Sequence, residues 1–179
     1  MMDRKVSILA ATAATANIGV TEEGYNAGAF VEKYQKSCIP ALQLGDPWCA
    51  AFVRYRFVAA AHALVRKLPN GFPSTGYCPD WKNYAKKTGT WVPVQTAMNF
   101  PAERPRPGDL ALFYFKSMKR VAHIGIVIAV HDWGVTTVEG NTGPESGDGL
   151  VERNGDGVYR KRREWMELGQ FGGFMRVDI

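Results

Sequence analysis

The stretch VAHIGIVIAVHDWGVTTVEGN, residues 121–141, decides the fold of this chain. Two runs rich in Val, Ile and Thr, 121–130 and 134–141, flank the turn-like HDWG. Short β-branched runs bounded by a tight turn specify an antiparallel hairpin. Strand alternation then puts Val121, His123, Gly125 and Val127 on one face of the first strand. It puts Val135, Thr137, Glu139 and Asn141 on one face of the second. A histidine and a carboxylate therefore share one side of neighbouring strands, where facing side chains come within hydrogen-bond reach. Either Glu139 or Asn141 can hold the His123 ring in one tautomer and orientation.

Outward from the hairpin the same strand pattern continues, in DLALFYF (109–115), GVYRKR (157–162) and FGGFMRV (171–177). Upstream the period changes to that of helices, expected over 4–18, 27–36, 47–67 and 78–89. For the helix over 47–67, Asp46 is expected to cap, Pro47 to take the first position, and Arg66 and Lys67 to complement the dipole at the far end. Helices first and strands afterwards is the segregation of an α+β domain, N-terminal helices packed on a C-terminal antiparallel β-sheet. The chain has 179 residues, 46% of them hydrophobic and 22% charged, with no linker composition and no long repeat. One domain over residues 1–179 is expected.

The helix over 47–67 carries a cysteine in its first turn. Exposed backbone N–H groups and the positive end of the dipole favour a thiolate there, and an imidazolium partner favours it further. If the start of this helix packs against the face bearing His123 and Glu139, the set is a nucleophile, a base and an orienting acid. The plainer reading of each residue alone is a core thiol, a satisfied strand histidine and a solvated glutamate. The compatible placement of all three, in the order Cys49, His123, Glu139, favours the cysteine-hydrolase reading. Asp46 opposes the thiolate unless it points away, as a cap does.

A net charge of +5 favours an anionic partner, nucleic acid, a membrane surface or anionic wall polymers. YRKRRE at 159–164 reads as a solvated strand edge, and no recognition helix, zinc knuckle or aromatic RNA-binding strand is found, so no nucleic-acid partner is expected. No run reaches the roughly 18 apolar residues of a membrane span. The N-terminal MMDRKVSILAATAATA carries Asp3 and helical spacing, against a signal peptide. Cys38, Cys49 and Cys78 are an odd set in a chain too large to need staples, and no disulfide framework is indicated. His62, His123 and His131 stand in no short ligand spacing, so neither metal nor cofactor is expected. A monomer is expected.

GDPWCAAFVRY, followed by RPGDLALF, VAHIGIVIAV and TTVEGNTG, resembles the CHAP family, cysteine- and histidine-dependent amidohydrolases/peptidases of the papain-like superfamily. The resemblance implies a papain-like fold with Cys49 as nucleophile, His123 as general base and Glu139 as orienting acid. Asn141 matches the polar residue often kept beside the acid. Other papain-like enzymes use an asparagine as third member, which leaves the division between Glu139 and Asn141 open. Many relatives carry a small or polar residue where this chain has Trp48, which is expected to shape the substrate groove. No acidic calcium loop is present, and Cys78 is expected to pack the core. The family implies cleavage of amide bonds in bacterial peptidoglycan, at the muramoyl to L-alanine link or within the stem peptide or cross-bridge. The alternative is a catalytically silent wall-binding or structural protein of the same fold. The protein is expected to be made in the cytoplasm and to act at the wall after release or delivery by another system, as a phage lysin or a bacterial or secretion-delivered enzyme.

Overall fold

The computed structural model describes residues 4–144 and 154–179. Four helices come first, α1 (Lys5–Thr15), α2 (Ala29–Lys36), α3 (Cys49–Ala63) and α4 (Cys78–Lys87). A short strand β1 (Trp91–Pro93) and a short helix α5 (Val94–Asn99) follow. Then come β2 (Leu110–Phe115), β3 (Arg120–His131), β4 (Gly134–Thr142), β5 (Gly157–Glu164) and β6 (Gly173–Met175). The six strands form one sheet in the order β1-β6-β2-β3-β4-β5, every pair antiparallel. This is the α+β class expected from the sequence, with helices in the N-terminal part and the sheet in the C-terminal part.

Strand alternation divides the sheet residues between two apolar clusters. Leu110, Leu112, Ile124, Ile126, Val138 and Val158 join the helices, chiefly Ala50, Phe52, Val53 and Phe57 of α3. Ala111, Phe113, Val127, Val135 and Phe174 point to the other side. There Val94 and Ala97 of α5 cover them, with Trp165 and Leu168 of the 3-10 turn Trp165–Leu168. Each fully buried Leu, Ile or Phe contributes about 1.5–3 kcal/mol, so both faces of the sheet are held apart from water by apolar packing. Asp109, at the start of β2, ties both ends of the chain to the sheet. It accepts from Arg4 Nη2 at 3.0 Å and from the Val177 N–H at 3.1 Å.

Helix α3 is shorter than the expected 47–67. Asp46 does not cap it; its carboxylate accepts from the Gln43 N–H at 2.9 Å and closes a preceding turn. Pro47 stands outside, and the helix begins at Cys49. At the other end Val65 turns left-handed, φ 54°, and the Arg66 N–H reaches back to the Ala61 carbonyl at 2.8 Å. That six-residue closure stops the helix before Arg66 and Lys67.

The β3–β4 hairpin turns through Asp132 and Trp133, with His131 paired to Gly134. Its ladder ends at Ile126 opposite Val138. Below that point β3 stays paired with β2, and β4 with β5. The first turn of α3 rests on β4 just there. A Cβ on Gly140 would stand 2.6 Å from Trp48 Cζ3 and 2.8 Å from Phe52 Cβ, so the helix can sit this low only over bare backbone.

Candidate active site

Cys49 is the first residue of α3 and Cys78 the first residue of α4. The two helix starts converge, and the sulfurs lie 3.8 Å apart, neither in a disulfide. Both cysteines line a cleft of about 300 Å³ whose walls include Leu42, Thr75, Tyr77 and Arg120. The Cys49 thiol is held well below its ordinary pKa. The hydrogen bond with Cys78 is the largest cause, burial opposes it, and the His123 ring and the Ala50 N–H add to it. Cys38, by contrast, is pushed up to about 11 by burial.

His123 sits on β3 directly after a bulge. The β2–β3 register runs Phe113 to His123 and then Tyr114 to Val121, so Ala122 is the extra residue. Bulges re-aim the neighbouring side chain, and Ala122 itself lines the cleft beside Cys49. The ring is fully buried, and its Nε2 lies 2.8 Å from Glu139 Oε2. The other ring nitrogen, Nδ1, is buried without a hydrogen bond of regular geometry among the described residues. It is the atom left to serve the Cys49 thiol, with which the ring interacts. Burial alone would lower the ring's pKa; Cys49 and Glu139 together outweigh it and raise the pKa to about 9. A lowered thiol beside a raised imidazole is the signature of a thiolate–imidazolium pair.

Glu139 reaches His123 because Gly125 lies between them. A Cβ there would come within 2.5 Å of Glu139 Cγ. Both carboxylate oxygens are filled. Oε1 accepts from the Thr137 hydroxyl at 2.6 Å and from Arg163 Nε at 2.9 Å; Oε2 accepts from Arg163 Nη2 at 2.7 Å. Burial pushes the Glu139 carboxyl up, but the Arg163 guanidinium and His123 overcome it and hold the group ionised, well below the usual carboxylate range.

Two expected site residues stand elsewhere. Asn141 does not touch His123; β4 turns left-handed at this residue, φ 57°, and its side chain points toward α3. Its Oδ1 accepts from the Trp48 N–H at 3.2 Å, and its Nδ2 donates to Asn26 Oδ1 at 2.8 Å and the Gly155 carbonyl at 3.1 Å. Asn141 therefore fixes the residue before Cys49. Trp48 shapes no groove, for its side chain is wholly buried. It packs against Tyr34 and Phe52, and its indole N–H donates to Glu22 Oε1 at 2.7 Å. Cys78 does pack in the core, as expected, and in addition touches the Cys49 sulfur. Sequence alone does not mark Arg163, Thr137 and Gly125 as members of the site. Alternation of GVYRKRRE was available, but nothing in a run of cations says which one is buried.

Among the described residues no cluster of three or more His, Cys, Asp or Glu is placed to hold a metal ion, and no helix is long and apolar enough to cross a membrane. A helix-borne thiol against a strand-borne histidine and carboxylate defines the class, a scaffold equipped for thiol-based acyl chemistry. The CHAP domain family model matches residues 42–141, more than half of the chain, and the protein belongs to this family of cysteine- and histidine-dependent amidohydrolases/peptidases. No curated protein and no solved structure matches the chain.

Proposed function

We propose that the protein is a peptidoglycan hydrolase that cleaves an amide bond of the bacterial cell wall, as an N-acetylmuramoyl-L-alanine amidase or as an endopeptidase of the stem peptide or cross-bridge. The observation that carries this reading is the chain of contacts from the Cys49 thiol through the His123 ring to Glu139, at the end of an open cleft. Family membership and a net charge of +5, suited to an anionic wall, support the substrate class.

In this mechanism His123 holds the proton of Cys49, and the thiolate sulfur attacks the amide carbonyl carbon. The carbonyl electrons move to oxygen, where backbone N–H groups of the first turn of α3 stabilise the oxyanion. The imidazolium gives its proton to the amide nitrogen, the C–N bond breaks, and the amine leaves a thioester on Cys49. Water then attacks the thioester while His123 takes its proton. The C–S bond breaks, giving a carboxylic acid and the thiolate again. Glu139 holds the ring in the tautomer that keeps Nδ1 toward sulfur and stabilises the imidazolium between the two steps. The protein acts at the wall after release or delivery by another system.

Mass spectrometry of purified peptidoglycan after digestion tests the proposal. The expected result is a new amine and a new carboxylate at one repeated amide link, which also separates amidase from endopeptidase. Unchanged fragments on walls of differing stem and bridge chemistry would leave the fold with a wall-binding or structural role instead.

A further inference from the structure

Arg163 lies on β5, beyond the residues matched by the family model. Its side chain is 2% exposed, and a guanidinium is kept from water only where its charge is met. Glu139 meets it twice, Nε on Oε1 at 2.9 Å and Nη2 on Oε2 at 2.7 Å. Oε2 is also the atom 2.8 Å from His123 Nε2, so one carboxylate oxygen is shared by guanidinium and imidazole. The Phe113 ring lies 5.2 Å from the guanidinium carbon and 5.5 Å from the imidazole, supporting both cations.

The other charged groups nearby leave this balance in place. Glu167, from the turn after β5, is 3.4 Å from Arg163 Nη1 and faces water in part. Lys161, two residues back on β5, donates to the carbonyls of Gly143 and Pro144. Asp46 and Arg120, opposite in sign, line the outer cleft. Cys78 lies beside Cys49, the two sulfurs 3.8 Å apart.

We infer that Arg163 is a positioning residue of this site, which locks Glu139 against His123 and makes the buried set Cys49, His123, Glu139 and Arg163 electrically neutral once the thiolate has formed. Counted by charge, thiolate and carboxylate are matched by imidazolium and guanidinium. Without Arg163 the same ionisation leaves one uncompensated negative charge in the interior, which is strongly disfavoured. The set then keeps its proton on Cys49 to higher pH. The inference rests on Cys49 and His123 as nucleophile and base.

Alkylation of Cys49 by iodoacetamide, followed against pH by mass spectrometry of the labelled peptide, reports thiolate formation with no substrate present. Arg163→Met is expected to move the acid limb up by about one pH unit or more and to slow wall hydrolysis at neutral pH by about tenfold or more. Arg163→Lys keeps the charge, and its limb stays within about half a unit of wild type. The pair Glu139→Gln with Arg163→Met removes both charges and brings the limb back toward wild type. An unmoved limb in Arg163→Met, or a double variant no closer to wild type than Arg163→Met alone, overturns the inference. Should Arg163→Met fail to fold, the other two variants decide, and limbs displaced in both overturn it. Alkylation of Cys49 that is indifferent to His123→Ala sinks the underlying reading instead, a separate result.

Discussion

Glu139 accepts from side chains of three strands, His123 of β3, Thr137 of β4 and Arg163 of β5. A carboxylate with this many donors stays ionised and keeps one geometry. Glu139→Gln turns an acceptor into a donor facing either imidazole or guanidinium, and hydrolysis is expected to fall by about a hundredfold or more. Asn141→Ala acts differently, since it takes the Asn141 acceptor from the buried Trp48 N–H and the Asn141 donor from Asn26 Oδ1. It is expected to lower stability by about 1–3 kcal/mol while hydrolysis, assayed well below its melting point, suffers less than in Glu139→Gln. Thermal denaturation and initial rates on the two variants check this. The raised imidazole gives a further prediction at the same scale. In the proposed mechanism His123 donates a proton to the leaving amine, so hydrolysis is expected to decline as pH rises through about 9. The ring's contribution to stability follows the same sign. It is complete below the ordinary histidine pKa and is lost as pH rises through about 9.

Helix α3 and the β3–β4 hairpin show what can and cannot be read from sequence at the level of elements. The hairpin is legible because runs rich in Val, Ile and Thr flank a two-residue turn, but the facing of His123 and Glu139 does not follow from that period alone. It needs the extra β3 residue between Val127 and Ala129, which shifts the register against β4 and brings His123 to the face of Glu139. The start of α3 is harder to place. Asp46 and Pro47 have the right chemistry for a cap and a first turn, yet Asp46 is engaged by Gln43 and the helix begins two residues past Pro47. Its end is not legible because Val65 adopts a left-handed φ of 54° that β-branched residues avoid. Nothing in the sequence marks that. Val65 is 93% exposed, so Val65→Gly removes the strain and loses no packing. It is expected to stabilise the protein by about 1 kcal/mol, net of the glycine's extra unfolded-state entropy, measurable by chemical denaturation. Strand β1 and helix α5 are not legible because three and six residues are too few to show a period. Strict alternation extended past Glu139 misplaces Asn141, while the groove role of Trp48 rests on the family resemblance alone. The β4–β5 register shifts between Glu139 and Thr142, and the left-handed residue there sends the Asn141 side chain to the helix side.

Across the whole molecule the two layers divide the chemistry. The helical layer brings two cysteine-headed helix starts to one cleft, and the sheet supplies a histidine, a carboxylate and a buried cation from three adjacent strands. The layers meet where β3 and β4 part, with Gly125 and Gly140 leaving room for the acid and the helix respectively. In the proposed function Cys49, served by His123, breaks amide bonds of the bacterial wall. Its most direct test compares hydrolysis of purified peptidoglycan by the wild-type protein with that by Cys49→Ala, His123→Ala and His131→Ala. His131 bonds Thr136 and stacks on Trp133 at the hairpin tip, so its variant controls for loss of a histidine as such. The expected result is that Cys49→Ala and His123→Ala each fold and lose about a thousandfold or more in rate, while His131→Ala stays within about threefold of wild type. A folded Cys49→Ala protein that still releases the wild-type fragments at the wild-type rate would contradict it.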